Sequence, residues 1–342
     1  MKANLHFTWI FIVLGLIGFT SLNAQDIHFS QYYNSPLNVN PALTGVFRGD
    51  YRFIGNYRNQ WSSVPVDYNT FSGAFDMRYS HKLIDNGFFG VGIILNSDKA
   101  GDGELGLSQA MVSLSYSQVM NESNIITLGF QVGVGQRSFS PDNLQFGNQF
   151  GDIYLATNPT KENFGNTNNI YTDINTGLNW HFQPDGGKSS MDAGLGVFHL
   201  NRSTQNFFET DEIQLPMRFA TYVFGEIAGP DKLSYLIHTI GQFDGAFNEA
   251  VIGGGVKYWL SQERGKEMAV QLGTAYRFVG PQDAVIPSVE VHYLMWKVGF
   301  SYDVNLSGFT RATNSRGGPE LSVEYILTKV GPTKEIKACP IF

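Results

Sequence analysis

Only 15% of the 342 residues are charged, and the chain holds a single cysteine, Cys339. Typical soluble domains carry about 25% charged residues. One cysteine excludes an intramolecular disulfide and a multi-cysteine metal site. The net charge is −7 and no basic cluster offsets it, which argues against a nucleic-acid partner. Catalytic signatures are also missing. Neither H-E-x-x-H nor G-x-S-x-G occurs, and His28, His81, His181, His199, His238 and His292 show no metal-ligand spacing, so they read as structural or turn residues. Asp98, Asp102 and Glu104 share a glycine-containing link that does not match a calcium loop, so they read as a solvated hairpin turn. The expectation is a non-enzymatic protein without cofactor or metal.

Long apolar runs are lacking too. The longest, Trp9 to Phe19, has eleven residues, well short of the roughly 20 that a membrane helix needs. Lys2 precedes it and Ser21-Leu22-Asn23-Ala24 follows, the layout of a secretory signal with its cut between Ala24 and Gln25. A membrane-embedded mature chain must then be a barrel, because only a closed sheet or a helix satisfies every backbone group in lipid.

What is abundant fits a barrel. Glycine (38 residues) and aromatics (14%) are rich. From residue 50 the chain reads as about fourteen short runs of period-two alternation: 50–58, 68–79, 88–96, 105–118, 124–138, 171–182, 190–199, 217–227, 233–242, 249–260, 268–278, 284–294, 296–305 and 319–328. In the fifth run Ile126, Leu128, Phe130, Val132 and Val134 share one face, and Thr127, Gly129, Gln131, Gly133, Gly135 and Arg137 take the other. Aromatics such as Tyr79, Tyr258, Phe278 and Tyr302 stand near run ends on the apolar face, where a bilayer boundary favours them. A soluble sandwich also alternates but has no use for such girdles. The expected fold is therefore all-β: a transmembrane antiparallel barrel of outer-membrane type, with a periplasmic N-terminal arm and a C-terminal tail.

Loop lengths give an orientation. Links from odd to even runs include the long ones, 139–170, 200–216 and 306–318, whereas the links from even to odd runs are short. Long loops outside and short turns inside is the outer-membrane pattern, which places both termini in the periplasm. The parts divide as a signal peptide (1–24), a periplasmic arm or plug (25–49), the barrel (50–328) and a periplasmic tail (329–342).

The face expected to line the lumen carries Asp76, Arg78, Arg137, Asp173, Arg277 and Asp303, with Asp192, Arg218, Glu226, Lys257, Glu290, Lys297 and Glu324. A single-sign set would suggest an ion-selective channel. This set is nearly balanced, which fits paired charges that tie the wall together or hold a plug. Arg78 with Asp76 and Arg277 with Glu290 are the pairings expected.

Several segments carry a family resemblance. Gln31-Tyr32-Tyr33, Ser35-Pro36-Leu37, Asn40-Pro41-Ala42-Leu43-Thr44-Gly45 and Asn56-Tyr57-Arg58-Asn59-Gln60-Trp61 resemble the start of the PorP/SprF family; Gly299 to Asn305 and Cys339-Pro340 resemble its end. The resemblance implies an outer-membrane component of type IX secretion in Bacteroidota that helps export or anchor surface proteins, gliding adhesins in some members. It also implies partners among the periplasmic and outer-membrane parts of that apparatus, a secreted client, and contact with outer-membrane lipid. Tyr32, Tyr33, Asn40, Pro41, Arg58, Trp61 and Cys339 are the candidate partner-binding or plug residues. The alternative is a channel or porin for small solutes.

Overall fold

The computed structural model describes residues 26–60, 68–80, 86–142, 144–150, 160–162, 164–184, 189–205, 207, 213–245, 247–279, 283–306 and 316–328. The signal segment, Trp61, His81 and the tail with Cys339 lie outside the described residues.

Fourteen strands form one closed antiparallel barrel in which each strand pairs with its neighbours in sequence and β1 closes on β14. They are β1 (Tyr51–Gln60), β2 (Tyr68–Tyr79), β3 (Gly87–Ala100), β4 (Leu105–Asn121), β5 (Asn124–Ser138), β6 (Asn168–Phe182), β7 (Ser190–Phe198), β8 (Arg218–Ala228), β9 (Leu233–Asp244), β10 (Phe247–Ser261), β11 (Met268–Phe278), β12 (Ala284–Tyr293), β13 (Trp296–Asn305) and β14 (Arg316–Leu327). Every expected run becomes a strand. The largest extensions fall at β3, β4, β6 and β14, where polar residues such as Lys99, Asn121 and Asn168 continue the ladder past the apolar alternation.

The alternation resolves into an apolar outside and a polar inside. Leu128, Phe130, Val132 and Val134 of β5 are exposed on the outer surface, while Thr127 and Gln131 are buried. Leu178 and Trp180 of β6 are exposed, and Asp173, Asn175 and Asn179 are buried. A soluble protein would invert this arrangement; lipid on the outside and a filled lumen require it. Aromatics ring both ends of the barrel. Tyr79, Phe89, Trp180, Tyr235, Tyr258, Tyr293 and Trp296 stand at the end with short links, and Tyr57, Phe71, Phe219, Phe243 and Phe278 stand toward the end with long ones. No helix among the described residues is long and apolar enough to cross a membrane.

The rim is stepped. β6 pairs with β7 only from Thr176↔Val197 downward, so Asn168 to Asn175 rise above the end of β7. The link after β7 partly completes this edge with side chains in place of a strand. The Leu200 N–H donates to Ile174 O at 2.9 Å. Asn201 Nδ2 and Ser203 Oγ donate to Thr172 O at 2.9 and 2.5 Å.

Candidate functional site

The lumen is filled by the chain's own N-terminal segment. Residues 26–50 have no strand-like periodicity because they do not meet a flat sheet. They form 3₁₀ turns at Tyr32–Asn34 and Pro41–Leu43 around one helical turn, α1 (Pro36–Val39). Pro36 and Pro41 open two of these turns, where their missing N–H costs nothing. The Asn40 side chain caps the second 3₁₀ turn, accepting from the Ala42 N–H at 2.8 Å. Leu37, Ala42 and Leu43 are buried inside the barrel.

The segment runs through the lumen from one end to the other. Asp26 lies level with the long-link ends of β7 and β8, beside His199 and Arg218. Gly45 lies near the short-link end, where its N–H donates to Asp76 Oδ2 at 2.8 Å. The segment lies within the barrel wall, not beneath it. The physical reason is its bonding: it offers backbone donors and small side chains, and the wall offers carboxylates and glycines.

The wall shows a belt of small residues. Gly90, Ser115, Gly129, Gly177, Gly196 and Ala220 oppose one another in register, forming one continuous row across β3 to β8. The segment Val39 to Thr44 lies along this row. A Cβ built on Gly196 would stand 2.7 Å from Val39 O; on Gly177, 2.7 Å from Asn40 Cγ; on Gly129, 2.5 Å from Ala42 Cα; and on Gly90, 2.7 Å from Thr44 C. Real Cβ atoms essentially never come within 3.0 Å of such atoms. The order of contacts along the plug follows the order of strands along the wall.

Two ionic clamps hold the ends of the plug. At the first, Glu320 accepts the Ser30 and Gln31 N–H groups, both at 2.7 Å. Asp303 accepts Ser30 Oγ at 2.7 Å, and Arg58 and Arg277 each approach its other oxygen at 2.8 Å. At the second, Arg52 donates to both oxygens of Asp76 and, at 3.2 Å, to Leu43 O. Between the clamps, Asn34 Nδ2 donates to Glu290 at 2.9 Å, Asn40 Nδ2 donates to Leu178 O and Tyr222 Oη at 3.0 Å, and the Tyr32 hydroxyl meets His238 Nδ1 at 2.8 Å. Tyr33 packs its ring against His238.

A third cluster sits at the long-link end. His199 bridges Asp173 at 2.9 Å and Asp26 at 3.2 Å, and Arg218 approaches Asp26 at 3.1 Å. Burial disfavours the imidazolium, but hydrogen bonds to Asp173 and Asp26 and their charges outweigh it, raising the His199 pKa to about 9. For Asp26, burial works upward, and the charges of Arg218, His199 and Arg137 hold its carboxyl well below the usual range.

The structure brings Tyr32, Tyr33, Asn40, Pro41, Arg58, Asp76, Asp173, Arg277 and Asp303 together in or around the plug. Arg78 stands apart at the short-link end of β2, its guanidinium 3.6 Å from the centre of the Phe88 ring. Both expected pairings are corrected. Asp76 pairs with Arg52, its direct partner in the β1–β2 register, not with Arg78 two residues along its own strand. Arg277 pairs with Asp303 and Asp283, not with Glu290. Glu290 lies opposite Gln271, six residues down β11 from Arg277, or roughly 20 Å at strand rise. Of the supposed turn acids, Asp98 is held by Thr70 at 2.5 Å, whereas Glu104 pairs with Lys99 on the surface. Sequence reasoning missed Arg52, Glu320 and Asp26 as plug contacts. Arg52 was legible: Tyr51, Phe53 and Tyr57 claim the outer face of β1, so Arg52 must point inward.

The model of the type IX secretion system membrane protein PorP/SprF family matches residues 21–325, nearly the whole chain. The chain belongs to the PorP/SprF family. It is a component of type IX secretion in the outer membrane, and the family implies contact with other parts of that system. Among solved structures, a Pseudomonas aeruginosa FadL homologue aligns at TM-score 0.50 and 10% identity, covering 84% of this chain and 92% of that one. The CymD monoaromatic hydrocarbon channel aligns at TM-score 0.47 and 12% identity, covering 86% and 93%. At such identity the first likeness concerns the barrel fold alone. No curated protein matches the chain. In this PorP/SprF member, the Asn40-Pro41-Ala42-Leu43-Thr44-Gly45 run is the part of the plug that lies on the small-residue belt, and Arg58, Ser301 and Asp303 line the first clamp.

Proposed function

We propose that this PorP/SprF protein is an accessory component of type IX secretion that supports export or surface anchoring of a secreted client by protein recognition, not by conduction or catalysis. The observation that carries this reading is the plug. Its clamps, belt contacts and buried apolar groups occupy the middle of the lumen, so a solute path would require the segment to leave. The long-link end is taken as extracellular and the short-link end as periplasmic, with export by the cleaved signal and the tail beyond β14 reaching periplasmic parts of the apparatus.

The raised edge of β6 offers the client a place. Ile170 is 73% exposed, and its backbone has no ladder partner on the β7 side among the described residues. An extended client strand added there gains backbone hydrogen bonds for affinity and side-chain contacts for selectivity. Deleting the gene is expected to leave one surface adhesin unexported or shed while other cargo still passes. Retention of every surface protein after deletion overturns the reading. The solute-channel alternative predicts substantial conductance of the intact chain in planar bilayers, and the plug predicts little.

A further inference from the structure

A cavity of about 270 Å³ lies at the long-link end of the lumen between the plug and β1 to β5. Its wall is one cross-strand row: Arg58, Thr70, Asp98, Leu107 and Arg137 oppose one another in register. Asp26, Ile27 and His28 of the plug form its floor.

The charges facing this cavity are unequal in their commitments. Arg58 is held by Asp303 and donates to His28 O at 2.9 Å. Asp26 is held by Arg218 and His199. Asp98 accepts from Thr70. Arg137 is only 8% exposed, its Nε is buried without a partner, and its guanidinium makes no hydrogen bond or ion pair among the described residues. Leu107 stands between Arg137 and Asp98 in the row and keeps them from pairing. A buried guanidinium with unfilled hydrogen-bonding sites is costly, and here only longer-range charges such as that of Asp26 offset the cost.

We infer that Arg137 and this vestibule form a binding site for a carboxylate carried by an extended polypeptide, either its C-terminus or an acidic side chain. The planar guanidinium fork matches a carboxylate in two parallel hydrogen bonds. Asp98 and Asp26 flank the site, so a singly charged carboxylate suits it better than a phosphate dianion. Ile27, Leu105 and Leu107 give the aliphatic part of one residue an apolar seat. The polypeptide identity of the ligand rests on the client-recognition reading; the carboxylate chemistry does not.

The test uses the full mature chain in detergent and four probes, followed by titration calorimetry: acetyl-Ala-Leu with a free carboxylate, the same peptide as its amide, acetyl-Ala-Asp-amide, and inorganic phosphate. The free acid or the aspartyl peptide is expected to bind at least tenfold more tightly than the acetyl-Ala-Leu amide. Arg137→Met should lose that preference, while Arg137→Lys should keep part of it. Equal binding of acid and amide, undiminished binding to Arg137→Met, or tighter binding of inorganic phosphate than of either acidic peptide overturns the site. Thermal unfolding separates a purely structural role: the acidic peptides should raise the melting temperature of the parent but not of Arg137→Met, and an equal rise in both refutes the inference. Peptide binding and gene deletion together distinguish the two readings. If the peptides fail to bind and deletion still releases the adhesin, the vestibule inference fails and the accessory role stands. If peptides bind but deletion releases nothing, the accessory role fails and the site stands.

Discussion

Adding one methyl group to the wall should loosen the plug. Gly129 faces the lumen at the centre of the small-residue belt, and a Cβ there would stand 2.5 Å from Ala42 Cα. Ordinary contact begins near 3.4 Å, and Ala42 N and Pro41 C would lie closer still, so the plug must recede by more than about 1 Å in Gly129→Ala. It cannot do so freely. Asn40 is tied to Leu178 O and Tyr222 on one side of the contact, and the Thr44 hydroxyl is tied to Ser113 at 2.6 Å on the other. Overpacking a tight site costs about 1–3 kcal/mol, and each hydrogen bond stretched out of geometry adds about 1 kcal/mol. A combined change of about 3 kcal/mol lowers the ratio of docked to undocked plug roughly a hundredfold.

The assay is single-barrel conductance in planar bilayers, with protease protection of residues 26–50 as a second readout. Gly55→Ala, on the outer face of β1, is the control for a glycine-to-alanine change in a strand without a clash, because a Cβ there meets nothing within 4 Å. Gly129→Ala should open more often than the parent and expose the segment, while Gly55→Ala should behave as the parent does. Both should keep the barrel, since neither change alters a ladder partner and the Cβ at Gly55 points to the open outer face. If Gly129→Ala stays as closed and as protected as Gly55→Ala, the belt is not what seats the plug.

Three further outcomes follow from the same geometry. Asp303→Asn removes the charge that Arg58 and Arg277 share, which should cost about 3–5 kcal/mol in urea unfolding; a change below about 1 kcal/mol would show that the clamp relaxes onto Glu320 and Asp283. Removing residues 26–49 should raise conductance sharply without abolishing the barrel, and unchanged conductance would mean that other segments block the lumen. The His199 cluster should respond to pH. Its folded pKa, about 9, lies above the ordinary 6.5, so its stabilisation is complete below about pH 6.5 and is lost as pH rises through about 9. At about 1.4 kcal/mol per pH unit the limit is about 3 kcal/mol. Hydrogen-exchange protection near Asp26, taken relative to the intrinsic base-catalysed rate, should therefore fall between pH 7 and 10, and His199→Gln should flatten that profile; protection that falls toward pH 6 would contradict the assignment.

The strands were legible in the sequence and the contacts of the plug were not, for one reason. A strand in a barrel repeats the same environment every second residue, so Leu128, Phe130 and Val132 announce their face without knowledge of any neighbour. The plug meets a different wall residue at each position. Ser30 needs Asp303, Asn34 needs Glu290, and Gly45 needs Asp76, each separated from its partner by tens to hundreds of residues. Such pairings leave no periodic trace. The belt lies between these cases. The alternation correctly sends Gly129, Gly133 and Gly135 of β5 inward, but it cannot say why glycine stands there. Only the register aligns Gly129 with Gly177 and Gly196 on the next two strands and shows a groove the width of a backbone. The charge pairings failed in the same way. Arg78 and Asp76 are close in sequence on one face, yet the closer partner across the ladder, Arg52, takes the acid. In an antiparallel barrel the rung outranks the rail, and inward charges are best paired only after register is assigned.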